Sequence, residues 1–395
     1  MIEITNPENV GMLSRRVNKI NATMQDLINQ GKYPGIATLI ARYGKIVHLG
    51  CYGKLDLAAD QPILAESLFR IYSLTKPITS VATLMLYEQG YFNLDDPVSK
   101  WIPEFKNFKV LHESTNFERE LDDLETEITF WHLLTHTSGL GYGYDTEATE
   151  PIEEIYREAK LLSPILALQF PLPEIIQKIA NLPLAAQPGT AWHYSLAHDV
   201  LGYLIGLISG KPFDVFLHER LFEPLGMQDT SFFVPQAKLE RFGPLYGPPQ
   251  ESGASVLDDV ATSPFIRPDI VLSGGVGLIS SMLDYFRFML MLANGGELDG
   301  VRLLKQDTVS EMTTNQLTDS VFPVRFSSGP MPDLGFGLGI GVQVTDVPQF
   351  GWLGWSGTGA WIYPHEEMIV IAMSQARNSE AIEALTSMAR EAITN

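Results

Sequence analysis

The chain has 395 residues, a formal charge of −20, 45% hydrophobic and 19% charged residues, a composition that describes a packed globular protein and excludes a disordered or low-complexity one. The acidic excess is broken by no Lys/Arg run, so neither nucleic acid nor an anionic membrane surface is expected as a partner, and a small neutral or cationic ligand fits better. The single cysteine, Cys51, excludes an internal disulfide framework and, in its strand-like setting, reads as a buried spectator thiol.

The N-terminus shows no basic head followed by an apolar core and a small-residue cleavage site, so no secretory signal is expected and a cytoplasmic location follows. The most apolar stretches, 200–208 and 286–293, fall short of the ~20 residues a bilayer span needs and read as buried helices. Residues 7–30 carry apolar positions at helical spacing and end at Gly31, which predicts one amphipathic helix with a glycine just past its end. Ile36 to Arg42 and Ile46 to Tyr52, joined by Tyr43-Gly44-Lys45, predict a β-hairpin.

From Ser67 to Gly210 the pattern is mostly helical, with long polar or proline-bearing interruptions at 103–127 and 142–173 of the kind that form functional rims. A helix is predicted over 283–293, strands over 336–344, 360–363 and 368–374, and a last helix over 380–393. Strands at both chain ends around a helical middle predict an α+β fold, an antiparallel sheet flanked by helices plus a mostly helical domain. The expected division is a sheet domain of residues 1–66 and 271–395, a helical domain of 67–270, and an active-site cleft between them.

Several motifs fail on inspection. Gly335 to Gly341 never satisfies G-x-G-x-x-G and has the period of a strand; Gly210-Lys211 lacks the rest of a P-loop, so no cofactor is implied. His365-Glu366-Glu367 has Ile369 where a second metal ligand would stand, so no metal site is expected, and no serine occupies G-x-S-x-G.

What remains is Ser73-Leu74-Thr75-Lys76, an S-x-x-K opening the apolar run 78–90, with Pro77 tolerated only in a helix's first turn. Three residues apart on a helix, the Lys76 amine reaches the Ser73 hydroxyl, and the helix N-terminus favours the anion formed when the serine attacks. To accept that proton Lys76 must become neutral, which burial or a cationic neighbourhood brings about. The bland reading, an exposed first-turn Ser and Lys, stays open on these four residues alone. Tyr194 follows the turn Pro188-Gly189-Thr190, where a loop tyrosine can reach a cleft; taken singly it reads better as a buried aromatic. Gly354-Trp355-Ser356-Gly357-Thr358-Gly359 allows a close backbone approach to a ligand, though in isolation it reads better as a plain glycine-rich turn between strands.

These phrases in this order resemble the serine β-lactamase and penicillin-binding-protein superfamily, in the branch of class C β-lactamases, family VIII carboxylesterases and lovastatin-type acyltransferases. The resemblance also takes in the phrases at 131–140, 199–202, 273–281 and 294–304 and covers nearly the whole chain. It implies Ser73 as nucleophile, Lys76 and Tyr194 as acid/base partners, the backbone N–H groups of Ser73 and Thr358 as oxyanion hole, and Trp355-Ser356-Gly357 as the third motif. The chain departs from the antibiotic-hydrolysing pattern at Leu196 and Trp355, where that pattern has asparagine and lysine for the lactam's amide and carboxylate. Lactam hydrolysis therefore gives way to hydrolysis of small-molecule esters, with a β-lactamase or D-amino-acid peptidase, an acyltransferase and a non-catalytic acyl-binding sensor as rivals. His132 and His136 read as structural, and His193 as either tuning Tyr194 or facing solvent.

Overall fold

The computed structural model describes residues 3–112, 120–144, 150–248, 254–326 and 328–394. Parts of both predicted rim interruptions, 113–119 and 145–149, lie outside them. Helix α1 (Lys19–Asn29) precedes the hairpin β1 (Gly35–Arg42) and β2 (Lys45–Asp56), with β3 (Gln61–Pro62) beside it. Strand β4 (Leu68–Arg70) leads into helix α2 (Thr75–Glu88); α3 (Phe130–Leu134) and α4 (Ala197–Ser209) belong to the helical middle. The chain returns through β5 (Ile279–Ser281) and α5 (Met282–Ala293) to strands β6 (Leu334–Phe336), β7 (Gly341–Gln343), β8 (Gln349–Gly354), β9 (Thr358–Tyr363) and β10 (Met368–Ser374), and ends in α6 (Glu380–Glu391).

Eight strands form one antiparallel sheet in the order β6-β7-β8-β9-β10-β1-β2-β3, so the two ends of the chain meet where β10 pairs with β1. Both of these strands are buried along their whole length because helices cover both faces. Ile36, Ile40, Val370 and Ala372 face the layer of α1 and α6, while Ala37, Leu39, Ile369 and Ile371 share a core with α5. That second core runs on without a break into the helical middle, through Ile78 of α2 and Leu133 of α3. The fold is thus the α+β sheet-and-helix architecture expected.

Three local expectations need correction. The predicted helix over 7–30 is broken into three pieces, because Gly11 adopts a left-handed φ of 68° after a short 3-10 turn capped by Asn6. The predicted strand over 336–344 is a hairpin, β6–β7, reversed at Gly339 with φ 83°; a Cβ there would collide with Ser80 Oγ and His198. Strand β8 was not anticipated, since two glycines interrupt its six residues and blur the alternation.

One buried charge fastens the sheet's end to the helical middle. The fully buried Arg70 pairs with Asp258 at 2.6 Å and also donates to the Gly243 carbonyl at 2.8 Å and Gln375 Oε1 at 2.9 Å. Removing the acid leaves a buried, uncompensated guanidinium. Asp258→Ala is therefore expected to cost ~3–5 kcal/mol in urea unfolding, far beyond the effect of a surface aspartate.

Candidate active site

Ser73 sits in a single 3-10 turn, Tyr72–Leu74, that runs directly into α2 at Thr75, so the predicted helix start holds with the serine two residues before the α-helix proper. The residue before it, Tyr72, is a non-glycine with φ 44°, a conformation that costs roughly 1–3 kcal/mol and persists only where the surroundings enforce it. They do: its ring lies edge-on to Phe265 and to Trp355, with centroids at 6.2 and 5.2 Å, and its hydroxyl donates to the Ile165 carbonyl at 3.2 Å.

Lys76 is wholly buried, its Nζ 3.2 Å from Ser73 Oγ and donating to the Gly275 carbonyl at 3.0 Å. The rings of Tyr194 and Tyr142 lie 4.5 and 5.3 Å from the same nitrogen. Burial lowers the Lys76 pKa to about 7, against the opposing pull of Asp199. The same burial pushes the Tyr194 phenol well above its ordinary value, opposed by hydrogen bonds with Ser73 and Trp352. One desolvated pocket thus holds an amine able to lose its proton and a phenol that keeps its own.

The glycine-rich turn at 354–359 is stitched to the segment that leads into Ser73. Ser356 Oγ donates to the Arg70 carbonyl at 2.6 Å and Thr358 Oγ1 to the Ile71 carbonyl at 3.4 Å. Gly354 permits that approach, since a Cβ on it would stand 2.4 Å from the Ile71 carbonyl oxygen. The structure therefore brings all seven predicted residues together: Ser73, Lys76, Tyr194, Trp355, Ser356, Gly357 and Thr358. The Ser356 hydroxyl is spent on the fold, so its side chain is not a ligand contact. Leu196, at the start of α4, is fully buried and offers no polar group.

Sequence reasoning missed the parts played by Trp352, Asp199, Ser273 and Gly275. Trp352 of the unanticipated β8 donates its indole N–H to the Tyr194 hydroxyl at 3.1 Å. Asp199, one turn into α4, accepts from the Ser273 hydroxyl and from the Gly275 N–H at 3.2 Å, and so aims the Gly275 carbonyl at Lys76. The glycine pair after Ser273 was the available signal: a Cβ on Gly274 would meet the His198 carbonyl at 2.2 Å, and one on Gly275 would meet Asp199 at 2.8 Å.

Among the histidines, His132 is structural as expected, its Nδ1 accepting the Thr129 N–H at 3.1 Å in a capping box. His136 is buried with its Nδ1 hydrogen-bonded to Ser195 Oγ at 2.9 Å, as a structural histidine is, while its ring lies 4.8 Å from Tyr194 and 4.9 Å from His198 and its Nε2 has no partner. Burial and the neighbouring Lys76 lower the pKa of both His136 and His198, so they stay neutral. His193 is not among the groups acting on Tyr194; it lines a cavity of about 220 Å³ beside that residue, with Trp192, Tyr144 and Phe326.

Residues 20–393 match the family model described as Beta-lactamase. The chain belongs to this family. Protein Rv1367c of Mycobacterium tuberculosis is 31% identical over 382 residues, covering 93% of this chain and 92% of that one. Esterase EstB of Burkholderia gladioli is 32% identical over 283 residues, covering 68% of each chain. Among solved structures, EstCE1, described as a hydrolase with promiscuous acyltransferase activity, superposes with a TM-score of 0.76 at 23% identity, covering 97% of this chain and 98% of that one. The chain is a serine hydrolase of the β-lactamase superfamily, with the fold of its penicillin-binding-protein relatives.

The carboxylate of Asp199 raises the Lys76 pKa, so deleting its charge lets that pKa fall further. With Lys76 as the base, which works as the neutral amine, the acid limb of kcat/KM for the enzyme's turnover is expected near pH 7. In Asp199→Asn, which keeps an acceptor for Ser273 and Gly275, the limb should move to lower pH. A profile superimposable on that of the wild type would show that Asp199 does not act on Lys76.

Proposed function

We propose that the chain hydrolyses carboxylic esters, short-chain acyl esters first, through an acyl group carried on Ser73. The observation that carries this reading is the opposite displacement of two pKa values in one pocket, Lys76 down to about 7 and Tyr194 up. Such a pair divides base from acid. Lys76 takes the Ser73 proton as the oxygen attacks the ester carbonyl, and the backbone N–H groups of Ser73 and Thr358 receive the oxyanion. The ester C–O bond then breaks, and Tyr194 gives its proton to the departing alkoxide while Trp352 and the protonated Lys76 stabilise the phenolate. In the second half a water attacks the acyl-serine, its proton returns to Tyr194, and the Lys76 proton returns to Ser73, which restores the starting state.

The cavity beside Tyr194, lined by Trp192 and Phe326 as well as by Glu150 and Arg325, gives an organic group a place next to the proposed acid. The similarity to an esterase over two thirds of the chain supports the same substrate class. An acyl-serine also passes its acyl group to an alcohol in place of water, the second activity in the description of EstCE1. Both outcomes use one intermediate, and the ratio of acid to transfer product in water–methanol mixtures measures the balance.

Ser73→Ala removes the covalent route and is expected to leave less than about a thousandth of wild-type turnover of 4-nitrophenyl butyrate, with the fold intact. A fluorophosphonate should label the peptide containing Ser73. Lys76→Ala and Tyr194→Phe should each lower kcat by ~10²–10⁴. Since both serve one proton path, the double variant should lose little more than the worse single one; fully multiplying losses would contradict a shared path.

A further inference from the structure

Trp355 is in edge contact with Tyr72, the residue before Ser73, at a centroid distance of 5.2 Å. Over the indole, 4.5 Å from its centroid, lies the guanidinium of Arg377. The two residues are held in this relation by backbone. Ala376 N–H donates to the Ser356 carbonyl at 3.0 Å, and Gly357, with φ 76°, lets the 376–378 turn press so close that a Cβ would stand 2.3 Å from the Ala376 carbonyl oxygen. Asn378 in turn accepts the Tyr33 hydroxyl at 3.0 Å.

Arg377 is exposed, and among the described residues it has no hydrogen-bond or ion-pair partner. In a protein with 47 acidic and 27 basic side chains, Arg70, Arg241, Arg267, Arg287, Arg302 and Arg390 pair with carboxylates, so an exposed guanidinium without one, as at Arg377, is open to an anion from outside. Stacking on the indole holds the planar fork in one orientation and leaves its N–H donors free, so little side-chain freedom is lost when a planar anion binds. The protein's overall negative field repels anions, so an anionic ligand needs a local receptor of this kind.

We propose that Arg377, carried on Trp355, is a specificity residue for a carboxylate on the ester substrate, so that half-esters of dicarboxylic acids are preferred over neutral esters of the same length. The inference rests on Ser73 as the acylated residue, since only then does Trp355 border the reacting carbonyl. The guanidinium grips the remote carboxylate through paired N–H···O bonds, and the chain between spans Trp355 to the ester.

The test compares kcat/KM for the mono-4-nitrophenyl esters of adipic and suberic acid with 4-nitrophenyl hexanoate and octanoate, at low and high salt, with Ser73→Ala as background. The wild type is expected to prefer the half-esters, less so at high salt. In Arg377→Ala the half-ester to neutral-ester ratio should fall at least tenfold, and in Arg377→Lys by less. Equal losses on both substrate types, or none, would overturn the inference. Binding of adipate and suberate to Ser73→Ala, followed by calorimetry with and without Arg377→Ala, reads the same contact without turnover; a fivefold or greater weakening supports it, and an unchanged affinity overturns it. Absence of all ester turnover in the wild type would instead count against the ester reading itself.

Discussion

A lysine ammonium sealed from water is the constraint on which the rest of this site depends. Lys76 is fully buried, and its displacement from an ordinary 10.5 to about 7 corresponds to ~5 kcal/mol against carrying charge. Few polar groups are left to meet that charge: the Gly275 carbonyl, the Ser73 hydroxyl and, one step away, the Asp199 carboxylate. The two histidines nearest to it are themselves held neutral, so the pocket does not add a second cation. Such a residue weakens the fold, and its retention in the core makes sense as chemistry.

Holding the amine near neutrality is useful only if nucleophile, acid and third turn are rigidly placed around it. The structure does this by tying three chain-distant segments to one short stretch. Carbonyls 70 and 71 accept hydroxyls from the turn after β8, Arg70 reaches the helical middle through Asp258, and Tyr72 is wedged into a left-handed conformation between Phe265 and Trp355. The glycines at 274, 354 and 357 let backbone approach backbone where the site is assembled, and Gly275 makes room for the Asp199 carboxylate.

Much of this was legible from the amino acids. The S-x-x-K spacing, the apolar run after Pro77 and the chain-end strands have short-range physical causes, and they led to the nucleophile, its neighbour amine and the α+β sheet. Tyr194 and the turn at 354–359 gained meaning only through family resemblance, because a lone tyrosine or glycine-rich turn has no distinctive period. Trp352, Asp199 and His136 were not legible as site residues. Their roles depend on tertiary juxtaposition: a strand blurred by glycine, a helix turn set against residues 273–275, and an unpartnered ring nitrogen packed on Tyr194. Arg377 likewise stands 22 positions after the tryptophan it covers, so the charge at Trp355 is visible only in three dimensions.

The protonation state of Lys76 can be observed without any substrate. In protein carrying ¹³C at the lysine ε-carbon, with Lys76→Met used to assign the signal, the Lys76 resonance should titrate near pH 7. A Lys76 resonance that titrates near the 10.5 of a free lysine side chain would contradict the account, because the amine would then stay charged at neutral pH and could not accept the proton of Ser73.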